Sequence, residues 1–292
     1  MKCGTVAVVG RANAGKSTLI NVLVGEKIAI VSPKPQTTRD RILGILTEED
    51  KQIVFIDTPG IYKAENALNS VMQKTTETSA KDVDLILFLI DAHDYLRDTD
   101  VNLIKRFQKG IPVVLVLTKT DITQESKLIE SIQSLPTDCE IVPVSARKGK
   151  NLKELMKVIL SKLPESEEYI YPPDIVSDRS ERFMVAEIMR EKILLKFKKE
   201  IPHGIAIIIN EFDLSGKTAK ISLDIVCEKQ AHKSILIGKQ GSAIKEVSSF
   251  ARTDMEKFLE KKVFLTTYVK VKEDWRDKAR YIKEFGYGED EK

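Results

Sequence analysis

Apolar and polar positions alternate along the chain in two different rhythms. Up to about residue 163, short β-branched runs trade places with amphipathic stretches, the βαβ rhythm of a parallel sheet covered on both faces. Strands are predicted near 5–9, 40–47, 51–57, 84–91, 113–118 and 140–144. The last helix of this half, NLKELMKVILSKL, sets Leu152, Leu155, Met156, Ile159, Leu160 and Leu163 on one face, and Pro164 ends it. Residues 164–181, PESEEYIYPPDIVSDRSE, are charged and proline-containing and follow neither period, as a linker would. The second rhythm then begins. A helix near 182–198 precedes two β-rich runs, GIAIIINEF and AKISLDIVC, parted by a polar turn carrying Gly216. A glycine-interrupted helical stretch, a long helix to about 260, the strand VFLTTYVKVK and a final helix from Asp274 complete the order α-β-β-α-α-β-α. The expectation is an α/β domain over 1–166, a linker over 167–181 and an α+β domain over 182–292.

A length of 292 residues suits two domains, each able to bury a core. The longest apolar runs, such as Leu85 to Ile90, are far too short to span a bilayer. The opening residues MKCGTVAVVGR run into a strand without the zones of a signal peptide, so a cytoplasmic protein is expected. Cys3, Cys139 and Cys227 are odd in number and far apart, which argues against a disulfide framework or a cysteine metal site. Charge is uneven. Residues 1–174 carry 23 Lys+Arg and 24 Asp+Glu (−1), residues 175–292 carry 24 and 20 (+4), and residues 229–272 alone carry 10 and 4 (+6). That last stretch is either a solvated face or the footprint of a polyanion-binding surface.

GRANAGKST, 10–18, follows the strand VAVV and opens a helix, matching the phosphate-loop pattern at Gly10, Gly15, Lys16 and Ser17. In such a loop the backbone N–H groups of residues such as Asn13, Ala14 and Thr18 wrap phosphate, lysine neutralises it and the hydroxyl of Ser17 can ligate Mg²⁺. DTPG, 57–60, ends the strand QIVFI; Asp57 can hold Mg²⁺ through water and Gly60 can offer its N–H to a γ-phosphate. An ATPase would fit both motifs equally well. TKTD, 118–121, resembles the guanine-specificity motif Asn-Lys-x-Asp, in which a carboxylate accepts from a guanine edge that adenine lacks. Asp121 would select the base, the stem of Lys119 would cover the ring, and Thr118 stands where the amide is usual. SAR, 145–147, matches the last such element, with Ser145 before an Ala146 backbone N–H aimed at guanine O6.

IGKQG, 237–241, breaks an amphipathic helix with two glycines, at about 1 kcal/mol each relative to alanine, unless the backbone must turn there or something must approach it. Two helices joined by a tight GXXG loop could clamp the backbone of unpaired nucleotides. Gly238 and Gly241 would admit phosphates, Lys239 and Gln240 would contact them with Lys245 nearby, and Ile235, Ile237 and Ile244 could floor a groove. The plainer alternative is a helix–helix turn with a solvated lysine. Lys270, Lys272, Arg276, Lys278 and Arg280 could extend a phosphate track or be ordinary surface, and Trp275 reads as a packing anchor.

GRANAGKSTLIN, SPKPQTTRDR, DTPGI and the glycine-broken stretch, in this order and spacing, resemble the Era GTPases over nearly the whole chain. The resemblance implies a Ras-like P-loop GTPase domain joined to a type II KH domain, GTP hydrolysis to GDP with Mg²⁺, and binding of small-subunit ribosomal RNA near its 3′ end during ribosome assembly. It suggests that Thr37 or Thr38, with Thr38 preferred, ligates Mg²⁺ from a mobile switch loop at 32–41. Ala12-Asn13-Ala14 replaces the usual Pro-Asn-Val. Ile61 stands where Ras-like enzymes carry a water-orienting glutamine, so slow intrinsic turnover is expected. In related GTPases an asparagine at the place of Asn13 helps bind K⁺, which can act as an arginine finger does. A monomer is expected. The alternative is a GTPase whose C-terminal half docks a protein or an anionic membrane surface, which would place it at the inner face of the membrane; no amphipathic helix with an exposed apolar face supports that.

Overall fold

In the computed structural model, which describes residues 1–61, 65–94, 97–133, 135, 138–198 and 201–288, six strands make a first sheet. They are β1 (Lys2–Gly10), β2 (Ile42–Glu48), β3 (Lys51–Asp57), β4 (Leu85–Asp91), β5 (Val113–Thr118) and β6 (Glu140–Pro143). Val6 to Gly10, Leu85 to Ile90 and all of β5 are buried, as strands covered on both faces must be. The order β2-β3-β1-β4-β5-β6 places β1 between β3 and β4, so the chain reverses its march across the sheet at the carboxyl end of β1. Open sheets of this kind bind ligands at that crevice. One strand departs from the expected parallel pattern. β2 runs antiparallel to β3, because only residues 49 and 50 connect them, and a parallel crossover needs a dozen residues or more.

The helices of this half are α1 (Lys16–Val24), α2 (Ala67–Ser79), α3 (Asp98–Phe107), α4 (Glu125–Gln133) and α5 (Leu152–Lys162). The chain forms two compact units. The first comprises Met1–Ala29, Thr38–Lys63 and Met72–Asp178; the second comprises Arg179–Lys292 with two inserted pieces, Ile30–Thr37 and Ala64–Val71.

The second unit is built on α6 (Glu181–Lys196), β7 (Ala206–Asp213), β8 (Thr218–Cys227), α7 (Gln230–Ile237), α8 (Ser242–Leu259), β9 (Lys262–Val271) and α9 (Ala279–Glu284). β8 is central, antiparallel to β7 and parallel to β9. Alternate residues of β8 (Ala219, Ile221, Leu223, Ile225, Cys227) meet Val185, Ile188, Met189 and Ile193 of α6 and Val247, Ala251 and Met255 of α8 in one core. Ile30–Thr37 is fastened within this unit: the buried Arg190 guanidinium donates to the carbonyls of Gln36 and Thr37 and pairs with Glu187, while Glu191 Oε1 accepts from Val31 N at 3.0 Å.

The expected final helix from Asp274 starts later. Asp274 takes a positive φ, Trp275 lies in a 3₁₀ turn and α9 begins at Ala279. The indole forces this: Trp275 is fully buried, and its Nε1–H donates to the Gly204 carbonyl at 2.9 Å. Cys3 and Cys227 are buried, whereas Cys139 is only half-buried. Among the described residues no helix is long and apolar enough to cross a membrane.

Candidate nucleotide site and nucleic-acid interface

At the carboxyl end of β1 the chain turns through residues 11–15 into α1, whose first residue is Lys16. The ammonium of Lys16 is buried and donates to the carbonyls of Gly10 (3.1 Å) and Arg11 (3.0 Å). Burial lowers its pKa to about 8, against the opposing pull of Asp57. The next residue's hydroxyl, Ser17 Oγ, donates to Asp57 Oδ2 at 2.6 Å and lies 2.9 Å from Thr38 Oγ1, which also donates to that oxygen at 3.3 Å. Three oxygen-bearing side chains from separate parts of the sequence therefore meet at one point. Asp57 is fully buried, and burial pushes its carboxyl above the usual range despite the Ser17 hydrogen bond and the Lys16 charge. Its Oδ1 is buried with no partner. Of the two threonines considered for this place, Thr37 bonds instead to Ser32 and to the Lys34 carbonyl.

Gly60 presses on the phosphate loop. A Cβ there would stand 2.7 Å from Ala12 Cα and 2.8 Å from Ala12 N, so only glycine fits. The next residue, Ile61, donates its N–H to the Gly10 carbonyl at 3.1 Å, and its side chain packs against the core of Ala7, Val9, Ile86 and Phe88.

The base-recognition motifs assemble beside this loop. Thr118 Oγ1 lies 2.8 Å from the Ala14 carbonyl and 3.2 Å from that of Ile90, so the threonine keeps a bond to the phosphate loop. Asp121 is exposed, and its Oδ1 accepts from Ser145 Oγ at 2.7 Å, the main reason its carboxyl is held below the usual range. Lys119, at a positive φ, extends to Asp91 Oδ2 at 2.5 Å. Ala146 is half-buried after Ser145, and exposed Asn13 takes a positive φ in the phosphate loop.

Two participants escaped the sequence reading. Asp91 orients Lys119 from the end of β4, and a carboxylate ending a strand beside TKTD was the available signal. Arg11 pairs from within the phosphate loop with Asp94 at 2.9 Å and, through two nitrogens, with Asp100 of α3; nothing local to the sequence marks that pairing.

In the second unit, α7 ends at Ile237 and α8 begins at Ser242, with a tight turn between them. Gly238 has φ +72°, and a Cβ there would meet Ala243 Cβ at 2.7 Å and Ala243 N at 2.9 Å. Gly241 has φ +77°, with nothing within 4 Å of where a Cβ would stand. The first glycine lets the helices close together; the second leaves the turn open to a ligand. Lys239, Gln240 and Lys245 are exposed, Ile235 is 52% exposed, and Ile237 and Ile244 are half-buried, with Ile244 packed on the core.

A family model described as 50S ribosome-binding GTPase matches residues 5–119, and a KH domain model matches residues 200–276. The GTPase Era of Clostridium kluyveri is 46% identical over 292 residues, covering 98% of this chain and 99% of that one. The chain belongs to the Era family of GTPases. The Era GTPase of Clostridium botulinum is also 46% identical, covering 98% of each chain. Among solved structures, Era in complex with MgGDPNP and nucleotides 1506–1542 of 16S ribosomal RNA is similar at a TM-score of 0.93 and 40% identity, covering 99% of this chain and 100% of that one. An Aquifex aeolicus Era variant bound to GDP·AlF4⁻ is similar at 0.93 and 39%, with the same coverage. The fold is therefore a Ras-like GTPase domain followed by a KH domain, and the chain is a GTPase.

Proposed function

We propose that this Era family GTPase binds Mg²⁺ and GTP in its first unit, hydrolyses GTP to GDP slowly unaided, and clamps small-subunit ribosomal RNA near its 3′ end with the Gly238–Gly241 turn during small-subunit assembly. One observation carries the nucleotide half: the Ser17, Thr38 and Asp57 oxygens converge while Asp57 Oδ1 remains buried and unpartnered. Hard oxygen donors of this kind fit Mg²⁺. When bound, Mg²⁺ would neutralise charge on the β- and γ-phosphate oxygens.

The chain's own groups have separable tasks. Lys16 exchanges the loop carbonyls for phosphate oxygens, and the backbone N–H groups of residues 13–18 cradle the phosphates. Asp121 accepts from the guanine edge, Ala146 N–H reaches its O6, and Lys119 covers the ring. Gly60 is placed to sense the γ-phosphate because its neighbour is the phosphate loop. Ile61 has no group that could orient water and is turned into the core, so hydrolysis needs help from elsewhere. Asn13 would supply it by holding K⁺. Unchanged turnover after replacing K⁺ by Na⁺ removes Asn13 from that role.

The RNA half is supported by the open turn, by the exposed Lys239 and Gln240, and by a relative solved with 16S ribosomal RNA. On this reading the protein works in the cytoplasm, as a monomer. The direct test of the nucleotide site is Asp57→Asn in a Mg²⁺ titration of GTP binding and turnover. The expected result is a loss of Mg²⁺-dependent turnover of a hundredfold or so, with guanine still preferred over adenine. Turnover at the wild-type rate would contradict the assignment.

A further inference from the structure

β9 presents two unlike faces. Val263, Leu265, Val269 and Val271 turn into the core shared with α6 and α8. The residues between them, Lys262, Phe264, Thr266, Tyr268 and Lys270, stand on the opposite face, because strand side chains alternate. Large aromatics normally bury, yet Phe264 is 66% and Tyr268 55% exposed. The strand beside them offers no cover: their β8 partners are Lys220 and Asp224, with Ser222 opposite Thr266.

The charge on this face is mixed and partly fixed, with Lys220, Lys262 and Lys270 set among Glu211, Asp213 and Asp224. The side chains of Lys262 and Lys270 are 79% and 55% exposed, and Lys220 is exposed too. Asp224 is buried and holds Lys270 at 2.6 Å beside Tyr268. Lys262 lies 3.8 Å from Glu256, and Asp213, opposite Lys220 on β7, accepts from Ser215. Two aromatic rings four residues apart on an open strand, with a lysine at each end, can stack bases while the lysines take the flanking phosphates. A bare aromatic edge strand is otherwise an aggregation hazard.

The position suits such a ligand. β9 is an outer strand, paired only to β8, and its other face packs on α7 and α8, the helices that flank the Gly238–Gly241 turn. A GXXG loop clamps only about four nucleotides, so a longer strand has length left over for a second surface.

We propose that the outward face of β9 is a second single-stranded RNA surface, on which bases stack against Phe264 and Tyr268 between Lys262 and Lys270. The inference rests on the RNA reading given above. The test uses the full chain with two single-stranded RNA probes from the 3′ end of small-subunit ribosomal RNA, one of about four nucleotides and one about three times longer. Phe264→Ala/Tyr268→Ala is expected to weaken the long probe about tenfold to a hundredfold while leaving the short probe and GTP turnover unchanged; Phe264→Tyr/Tyr268→Phe restores binding. Lys262→Gln/Lys270→Gln is expected to flatten the salt dependence for the long probe only.

Wild-type affinity of the alanine variant for the long probe overturns the proposal. So does equal loss on both probes, which would mean damage to the groove, or a wild-type dimer that the alanine variant dissolves without losing RNA. Lys239→Asp/Gln240→Asp separates the two claims: if that variant keeps both probes, the assignment of RNA to the Gly238–Gly241 turn fails.

Discussion

A hydroxyl at residue 118 reaches the phosphate loop. Thr118 Oγ1 carries one proton and faces two carbonyls, at 2.8 and 3.2 Å, so it links the guanine motif to Ala14 with less capacity than an amide would have. Thr118→Val keeps the shape and removes that link; GDP and GTP affinity should fall together, by about tenfold or roughly 1.4 kcal/mol, in a calorimetric titration. No change would show that the bond is idle. Asp121 makes a second prediction. Its carboxyl is held low first by the Ser145 hydroxyl, and a group with a lowered pKa keeps its charge until the pH falls through that lowered value. Guanine affinity should therefore hold steady from about pH 7, where Lys16 keeps its charge, down to about 5. Ser145→Ala lets the pKa rise, so that affinity is lost from the acid end first. A wild-type profile that already bends in the ordinary carboxylate range would contradict this. The Thr118 reach was legible from the place of the usual amide, whereas the pairing of Lys119 with Asp91 had only a strand-ending carboxylate as its signal, because it joins residues on different strands.

Elements were legible where a period or a spacing is local. The continuous apolar runs that form β4 and β5 and the strand–loop–helix around Lys16 stand out from their own residues. What was not legible was tertiary. The antiparallel β2 depends on the length of a connection rather than on strand pattern, and the late start of α9 depends on a distant Gly204 carbonyl that captures Trp275. Thr38 meets Ser17 and Asp57 across separations of 21 and 19 residues, which no local pattern encodes and which only the family resemblance implied. The glycine turn shows how one motif can hold two requirements. Gly238→Ala collides with Ala243 and should both destabilise the second unit and abolish RNA binding. Gly241→Ala meets nothing, so it should cost only about 1–2 kcal/mol of left-handed strain in denaturant unfolding, while still weakening RNA by crowding the phosphates. Equal unfolding penalties for the two would show that the turn is not built as described.

At the scale of the whole molecule, a GTPase unit and a KH unit share one chain whose segments interleave: Ile30–Thr37 belongs to the second unit and Thr38, the next residue, to the first. The switch loop predicted at 32–41 therefore contributes to both. The basic stretch at 229–272, +6 on 10 basic and 4 acidic residues, now has a fold around it, with the Gly238–Gly241 turn and β9 both inside it. The measurement that tests the central claim most directly is ribosomal RNA affinity at fixed salt for the full chain, loaded with GDP or with a non-hydrolysable GTP analogue, beside Lys239→Asp/Gln240→Asp. Salt must be fixed because phosphate contacts make affinity depend on it. The account predicts that RNA affinity differs between the two nucleotide states and that the loop variant loses at least tenfold in the tighter one. RNA binding that ignores both the nucleotide and the loop would contradict it, and would leave the Gly238–Gly241 stretch a plain helix–helix turn.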